Sequence, residues 1–139
     1  DKVEKCFSFK DEGYVTFPVQ IGVDVARHGD DESVVVVRQN RKIWNIDRYR
    51  ITDLVSLAGK IKEYIDKYDP VQVAIDTVGM GIGLYDVLEK WGYGSVLQQV
   101  NAGEKAFQQG RYVNKRAEMW DNMKQAVTNI IDLPPAARV

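Results

Sequence analysis

With 139 residues, 45% of them hydrophobic, the chain carries enough apolar material for one packed domain and too little length for two ordinary ones. Cys6 is the only cysteine, which excludes an intrachain disulfide framework and a thiolate zinc cluster and fits a reducing compartment. Nineteen basic residues against twenty acidic ones leave a net charge of −1, so any contact with nucleic acid must come from local clustering of charge. The longest apolar runs are strand-sized and none follows a basic leader, so neither secretion nor membrane insertion is expected and the chain reads as soluble.

Residues 1–17 mix charge, aromatics and a glycine without a sustained period and are expected to form an irregular arm or an edge strand. Residues 19–25 and 33–38 are β-branched runs joined by a polar, glycine-containing turn, and residues 42–49 follow the short Gln39-Asn40-Arg41 turn. The natural reading is an antiparallel meander. Thr52 is placed to cap a helix with Leu54, Leu57, Ala58, Ile61 and Ile65 on one stripe, ending before Asp69-Pro70. A strand closing at Asp76 comes next, then a glycine-rich loop, a helix over residues 84–91 stopped by Gly92, and a short strand over 95–100. The polar stretch 101–113 precedes a helix over residues 114–129. Its stripe Ala117, Trp120, Met123, Val127 and Ile130 is expected to be buried, with Pro134-Pro135 ending the element. This order predicts one α/β domain over residues 1–139, with a mixed sheet flanked by helices.

Asp24 closes the run Ile21-Gly22-Val23-Asp24 and Asp76 closes Val73-Ala74-Ile75-Asp76. A carboxylate at the end of a buried strand is costly unless a cation meets it, or unless it caps a turn through backbone N–H groups. The helical crossover between the two runs can place their strands parallel, bringing both acids to one sheet edge. Hard oxygen ligands at such an edge suit Mg2+ or Mn2+. Two such ions about 4 Å apart can serve the attacking water and the leaving oxygen of a phosphodiester.

Asp31 is a further candidate for that shell, although Gly29-Asp30-Asp31 also reads as an ordinary reverse turn. His28, the only histidine, is placed in the same turn and cannot build a histidine cluster alone. Gly79, Gly81 and Gly83 have neither the G-x-G-x-x-G order nor a Walker ending, so close backbone packing or approach to DNA is the better reading. Lys105, Arg111, Lys115 and Arg116 stand with a single acid between Glu104 and Arg116, a candidate phosphate-facing patch that also fits an ordinary surface. Trp44, Trp91 and Trp120 sit in patterns that a core demands, and core placement is expected, above all for Trp120.

Three ordered segments then carry a resemblance: Gly22-Val23-Asp24-Val25-Ala26-Arg27-His28-Gly29-Asp30-Asp31-Glu32-Ser33, Ala74-Ile75-Asp76-Thr77-Val78-Gly79-Met80-Gly81, and Asn114-Lys115-Arg116-Ala117-Glu118-Met119-Trp120. Together, over residues 19–134, they resemble the C-terminal nuclease domain of tailed-phage terminase large subunits, which has the ribonuclease H-like fold. The resemblance implies a divalent-metal-dependent endonuclease that cuts concatemeric viral double-stranded DNA during genome packaging. Asp24 would be the central-strand ligand and Asp76 the ligand on the neighbouring parallel strand, with two Mg2+ or Mn2+ ions. The implied partners are double-stranded DNA, the terminase ATPase domain, the small terminase subunit and the portal protein, in the cytoplasm of the infected bacterial host. The family's third metal-binding aspartate lies in a later segment that often carries Ser-Pro-Asp. That motif does not occur in this sequence, and neither do the Walker motifs of the ATPase, so the chain is expected to lack its C-terminal segment. The second reading is a catalytically incomplete DNA- or portal-docking module. A sugar-kinase-like or nucleotide-binding fold is third, disfavoured because no phosphate-binding loop is recognisable.

Overall fold

The computed structural model describes residues 17–27, 30–50 and 53–128. Residues 1–16 of the expected arm over 1–17, the Thr52 cap, His28 and the chain beyond Thr128 lie outside the described residues. Among the described residues five strands form one sheet in the order β3-β2-β1-β4-β5: β1 Val19–Asp24, β2 Ser33–Gln39, β3 Lys42–Tyr49, β4 Gln72–Asp76 and β5 Leu97–Val100. The first three pair antiparallel as the expected meander, and β4 and β5 join parallel, each after a helical crossover. The β2–β3 turn is tight, with Asn40 at φ 51°, a conformation asparagine tolerates better than most residues.

Helix α1 spans Leu54–Tyr68. Asp53 caps it, its carboxylate accepting from the Ser56 N–H at 2.7 Å, and Asp69 ends it in the left-handed conformation before Pro70. Helix α2 spans Gly81–Leu88 and runs into a π-helical turn, Glu89–Tyr93, where Gly92 at φ 94° breaks the helical path. Helix α3 spans Lys115–Thr128, with the Asn114 side chain accepting from the Ala117 N–H.

Alternation along the strands divides the sheet into two unlike faces. Ile21, Val23, Val35, Val37, Val73 and Ile75 point to one side, where they are buried under Leu57, Ala58, Ile61 and Ile65 of α1 and Leu84 and Leu88 of α2. At the rim of this core the Tyr64 hydroxyl donates to Asp47 and shares a hydrogen bond with the Tyr49 hydroxyl, tying α1 to β3. The other side presents Gly22, Val34, Val36, Ala74 and Val100, only half-buried, beside Ala102 and Met119. No helix among the described residues is long and apolar enough to cross a membrane.

Candidate metal centre

Register places the two acids. The pairs Gly22–Ala74 and Val23–Ile75 put Asp24 and Asp76 side by side at the C-terminal ends of adjacent parallel strands. They share the face away from the α1/α2 core, and a strand spacing of about 4.8 Å sets the distance between their side-chain origins. Antiparallel pairing extends the row on one side, with Asp24 opposite Val34 and Val34 opposite Arg48, and parallel pairing extends it on the other, with Asp76 beside Val100. A pair of acids thus stands at the centre of the sheet edge, with an arginine two strands away.

Each acid is held by the loop that follows it. Beyond Asp24, the buried Ser33 hydroxyl accepts from the Ala26 N–H, so the chain leaving β1 is fastened to the start of β2. Beyond Asp76, its own carboxylate accepts from the Val78 N–H at 3.0 Å. Asp76 therefore does cap its turn, and that bond also fixes one oxygen and orients the other, as supporting hydrogen bonds do for ligating carboxylates. The close-packing reading of the glycines holds: a Cβ at Gly81 would sit 1.7 Å from the Asp76 carbonyl oxygen, and one at Gly79, whose φ is 80°, would meet the Arg27 guanidinium at 3.0 Å. Gly81→Ala should therefore push the start of α2 off β4 and displace Asp76. The expected destabilisation, measured by thermal unfolding, is about 1–3 kcal/mol or more, the range typical of overpacking.

Three clefts meet at the pair. One of about 630 Å³ is lined by Asp24, Asp31, Glu32, Asp76, Arg27, Arg48 and Arg116. The second, of about 470 Å³, joins Asp24, Asp76 and Arg116 to Ala102, Met119, Trp120 and Met123. The third, of about 310 Å³, lies along the half-buried sheet face. Asp24 has its carboxyl pushed above the ordinary range by partial desolvation first and by the Asp76 charge second, with the Arg116 guanidinium opposing both. A carboxyl whose ionisation is resisted in part by a neighbouring like charge is one a cation would relieve.

The sequence-derived candidates are therefore partly brought together. Asp24, Asp76 and Asp31 share the 630 Å³ cleft, where Asp31 is exposed. Arg116 joins them because its N–H donates to the Ala102 carbonyl, which ties the first turn of α3 to the exit of β5. Lys105 is exposed on the preceding loop, while Arg111 pairs with Asp121 at 3.2 Å and Lys115 with Glu104 at 3.7 Å. The four basic residues thus do not form one uniform patch. Arg27 and Arg48 also line the cleft and were not singled out from the sequence. Arg27 lies three residues past Asp24, a local spacing that signals it, whereas Arg48 reaches the site only through the β2–β3 register.

The expected buried stripe of α3 is corrected. Trp120 is 71% exposed and Met123 49%, and the residue turned inward is Glu118, at 7%. Its carboxylate accepts from the Phe107 and Gln108 N–H groups, pinning the loop before the helix, and this polar contact fixes the rotation of α3. Trp91 is likewise 44% exposed, at the π-helical turn, while Trp44 is half-buried against the core.

Among the described residues no group of three acidic, histidine or cysteine side chains is gathered closely enough to hold a metal. The two aspartates are the candidate donors, and a pair of carboxylates suits a hard divalent cation, because Mg2+ is commonly held by one or two carboxylates with water and substrate phosphate completing the shell.

No family model matches the sequence, and no curated protein matches it. Solved structures do match its fold. The nuclease domain of the large terminase subunit gp2 of bacterial virus Sf6 superposes with a TM-score of 0.75 at 15% identity, over 97% of this chain and 69% of that one. A mutant of that domain with manganese and beta-thujaplicinol gives 0.70 at 16% identity, over 98% of this chain and 70% of that one. The large terminase nuclease from thermophilic phage G20c gives 0.61 at 14% identity, over 93% and 72%. The mixed sheet in the order β3-β2-β1-β4-β5, with helices against it, is the ribonuclease H-like fold of terminase large-subunit nuclease domains.

Proposed function

We propose that the chain is a divalent-metal-dependent DNA endonuclease domain of a phage packaging terminase, with Asp24 and Asp76 holding the metal. The observation that carries this reading is the pairing of the two acids on adjacent parallel strands at the meeting point of three clefts. The Sf6 domain has been solved with manganese and with calcium, which supports divalent-cation use in this fold. We assign Mg2+ or Mn2+, in two ions, to the pair, with Asp31, which lines the same cleft, as the candidate for a further place in the shell. Bound there, such ions supply Lewis-acid activation of water and of the departing 3′ oxygen, so that cutting leaves a 5′ phosphate. The chain's own residues do the rest. Asp24 and Asp76 fix the site to the rigid sheet, and the Val78 N–H holds Asp76 in one orientation. Arg116 and Arg27, which line the cleft with the acids, would meet the phosphate charge that two carboxylates alone would repel.

The test is cleavage of supercoiled plasmid by the purified protein with Mg2+ or Mn2+ under matched salt. Nicking and linearisation with little sequence preference are expected, and cutting that persists in chelator would contradict the metal mechanism. Lys105, Arg111, Lys115 and Arg116 are proposed to contact the DNA backbone. Neutralising all four should weaken duplex binding and lower the slope of log affinity against log salt by about 0.9 for each phosphate no longer neutralised. Unchanged affinity and slope in a folded variant would remove the patch. By the same resemblance the substrate is concatemeric viral DNA in the host cytoplasm, and the partners are the ATPase domain, the small terminase subunit and the portal.

A second reading has one observation in its favour: among the described residues no third acid is gathered closely enough with Asp24 and Asp76 to complete a three-ligand metal set. It makes the chain a catalytically incomplete DNA- or portal-docking module. DNA binding without cutting under every divalent cation would establish it over the first.

A further inference from the structure

The 470 Å³ cleft has a wall that metal chemistry does not use. Asp24 and Asp76 share the cleft with Met119, Trp120 and Met123 of α3, exposed by 46%, 71% and 49%. Large apolar groups left open beside a charged centre are unlike a core and unlike scattered surface residues, and they mark a binding surface. Arg116 lines the same cleft one helical turn before Trp120, so guanidinium and indole are neighbours on one face of α3.

We infer that this wall is a subsite for one unpaired nucleotide of the DNA strand, with its phosphate on Arg116 toward the carboxylates and its base stacked on Trp120. This deepens the nuclease reading, on which it rests, by naming the form of substrate. The physical argument is one of complementarity. A nucleotide offers an anion beside a flat apolar face, and α3 offers a cation beside an indole in the same order. Methionine side chains such as Met119 and Met123 adapt their shape around a ring without selecting its identity, which suits a site that reads no sequence. A base inside a duplex has both faces covered by its neighbours, so only a nucleotide that has left the stack can present a face to Trp120. The volume falls within the range of sites that enclose small ligands. Duplex DNA would then be held by its phosphate contacts alone and would send a base into the cleft only where a strand end or a locally opened step releases one.

The test reads Trp120 directly. In a Trp44→Phe, Trp91→Phe chain, Trp120 is the only indole that remains of the three in the sequence. Its emission is followed while a short single-stranded oligothymidylate, or a blunt duplex of equal length, is added in Mg2+. Quenching by the single strand is expected, with little response to the duplex. In the chain with its natural tryptophans, Trp120→Ala should weaken single-strand affinity roughly five- to hundred-fold, the range for loss of one base–aromatic stack. Trp120→Phe should restore most of it, and duplex affinity should stay within about two-fold, as the phosphate contacts that dominate it are untouched. Circular dichroism and cooperative melting establish that each variant is folded. Absence of quenching overturns the subsite, as does an equal loss for single strand and duplex. A blue shift that grows with protein concentration in the absence of DNA also overturns it, because a second copy of the chain then covers the indole. The nuclease reading is judged apart from this: plasmid cutting without quenching removes only the subsite, and quenching without cutting removes only the reaction.

Discussion

Asp76→Asn is expected to abolish cutting in Mg2+ or Mn2+ while leaving the fold in place. The fall should exceed about 100-fold, because loss of a mere outer-shell partner of a metal already costs roughly 10- to 100-fold. The fold should survive for a local reason. Asp76 accepts one backbone hydrogen bond, from Val78, and the asparagine side-chain oxygen can accept the same bond, so the turn after β4 and the start of α2 keep their support. What is lost is the negative charge that recruits the cation. Duplex binding should hold or strengthen, since one fewer anion faces the backbone and the basic residues are unchanged. The comparison is plasmid cleavage and DNA affinity for both proteins under matched metal and salt, with circular dichroism as control. Full activity in folded Asp76→Asn would end its role as a ligand.

Asp24→Asn is expected to lose cutting to a similar degree while making the metal-free protein more stable. Asp24 has its carboxyl raised above the ordinary range by partial desolvation and by the neighbouring Asp76 charge. When the folded value lies above the unfolded one, the native state binds the proton more readily. The associated stability is fully present below the unfolded value and is lost as pH rises through the folded value. At neutral pH the metal-free native protein therefore carries an ionised Asp24 at a cost, and the neutral asparagine removes it. The variant should melt above the wild type at pH 7 in chelator, with the difference closing as pH falls into the ordinary carboxylate range. Divalent cations should reverse the order. A ligand at 100 times its Kd stabilises by about 2.7 kcal/mol, a gain the wild type receives and the variant does not. Acid should also abolish wild-type cutting, since a protonated Asp24 is a poor ligand. A variant that melts below the wild type in chelator at pH 7 would contradict the electrostatic picture of the pair.

Much of this arrangement was legible in the sequence because it rests on period and punctuation. The β-branched runs at β1 and β2 and the Leu57, Ala58, Ile61, Ile65 stripe have strong periods. The acid-terminated strands either side of one helix imply parallel neighbours. Two kinds of feature were not legible. Arg48 enters the site through register across two strand pairs, and no local spacing reports that. The rotation of α3 was misread because apolar spacing favoured burying Trp120, while the structure turns Glu118 inward to satisfy two N–H groups of the preceding loop. A buried carboxylate with two backbone donors outweighs an apolar preference, since leaving those groups unpaired is costly. The residue set free by that rotation, Trp120, now stands beside the acids.

The most direct measurement of the central claim is anomalous diffraction from crystals of the chain soaked in Mn2+. A manganese peak is expected between Asp24 and Asp76, with an oxygen of each carboxylate in its coordination shell, and it should vanish in Asp24→Asn crystals. Well-ordered carboxylates with no manganese between them at saturating Mn2+, or manganese bound only elsewhere on the chain, would contradict the assignment of this sheet edge as a metal centre.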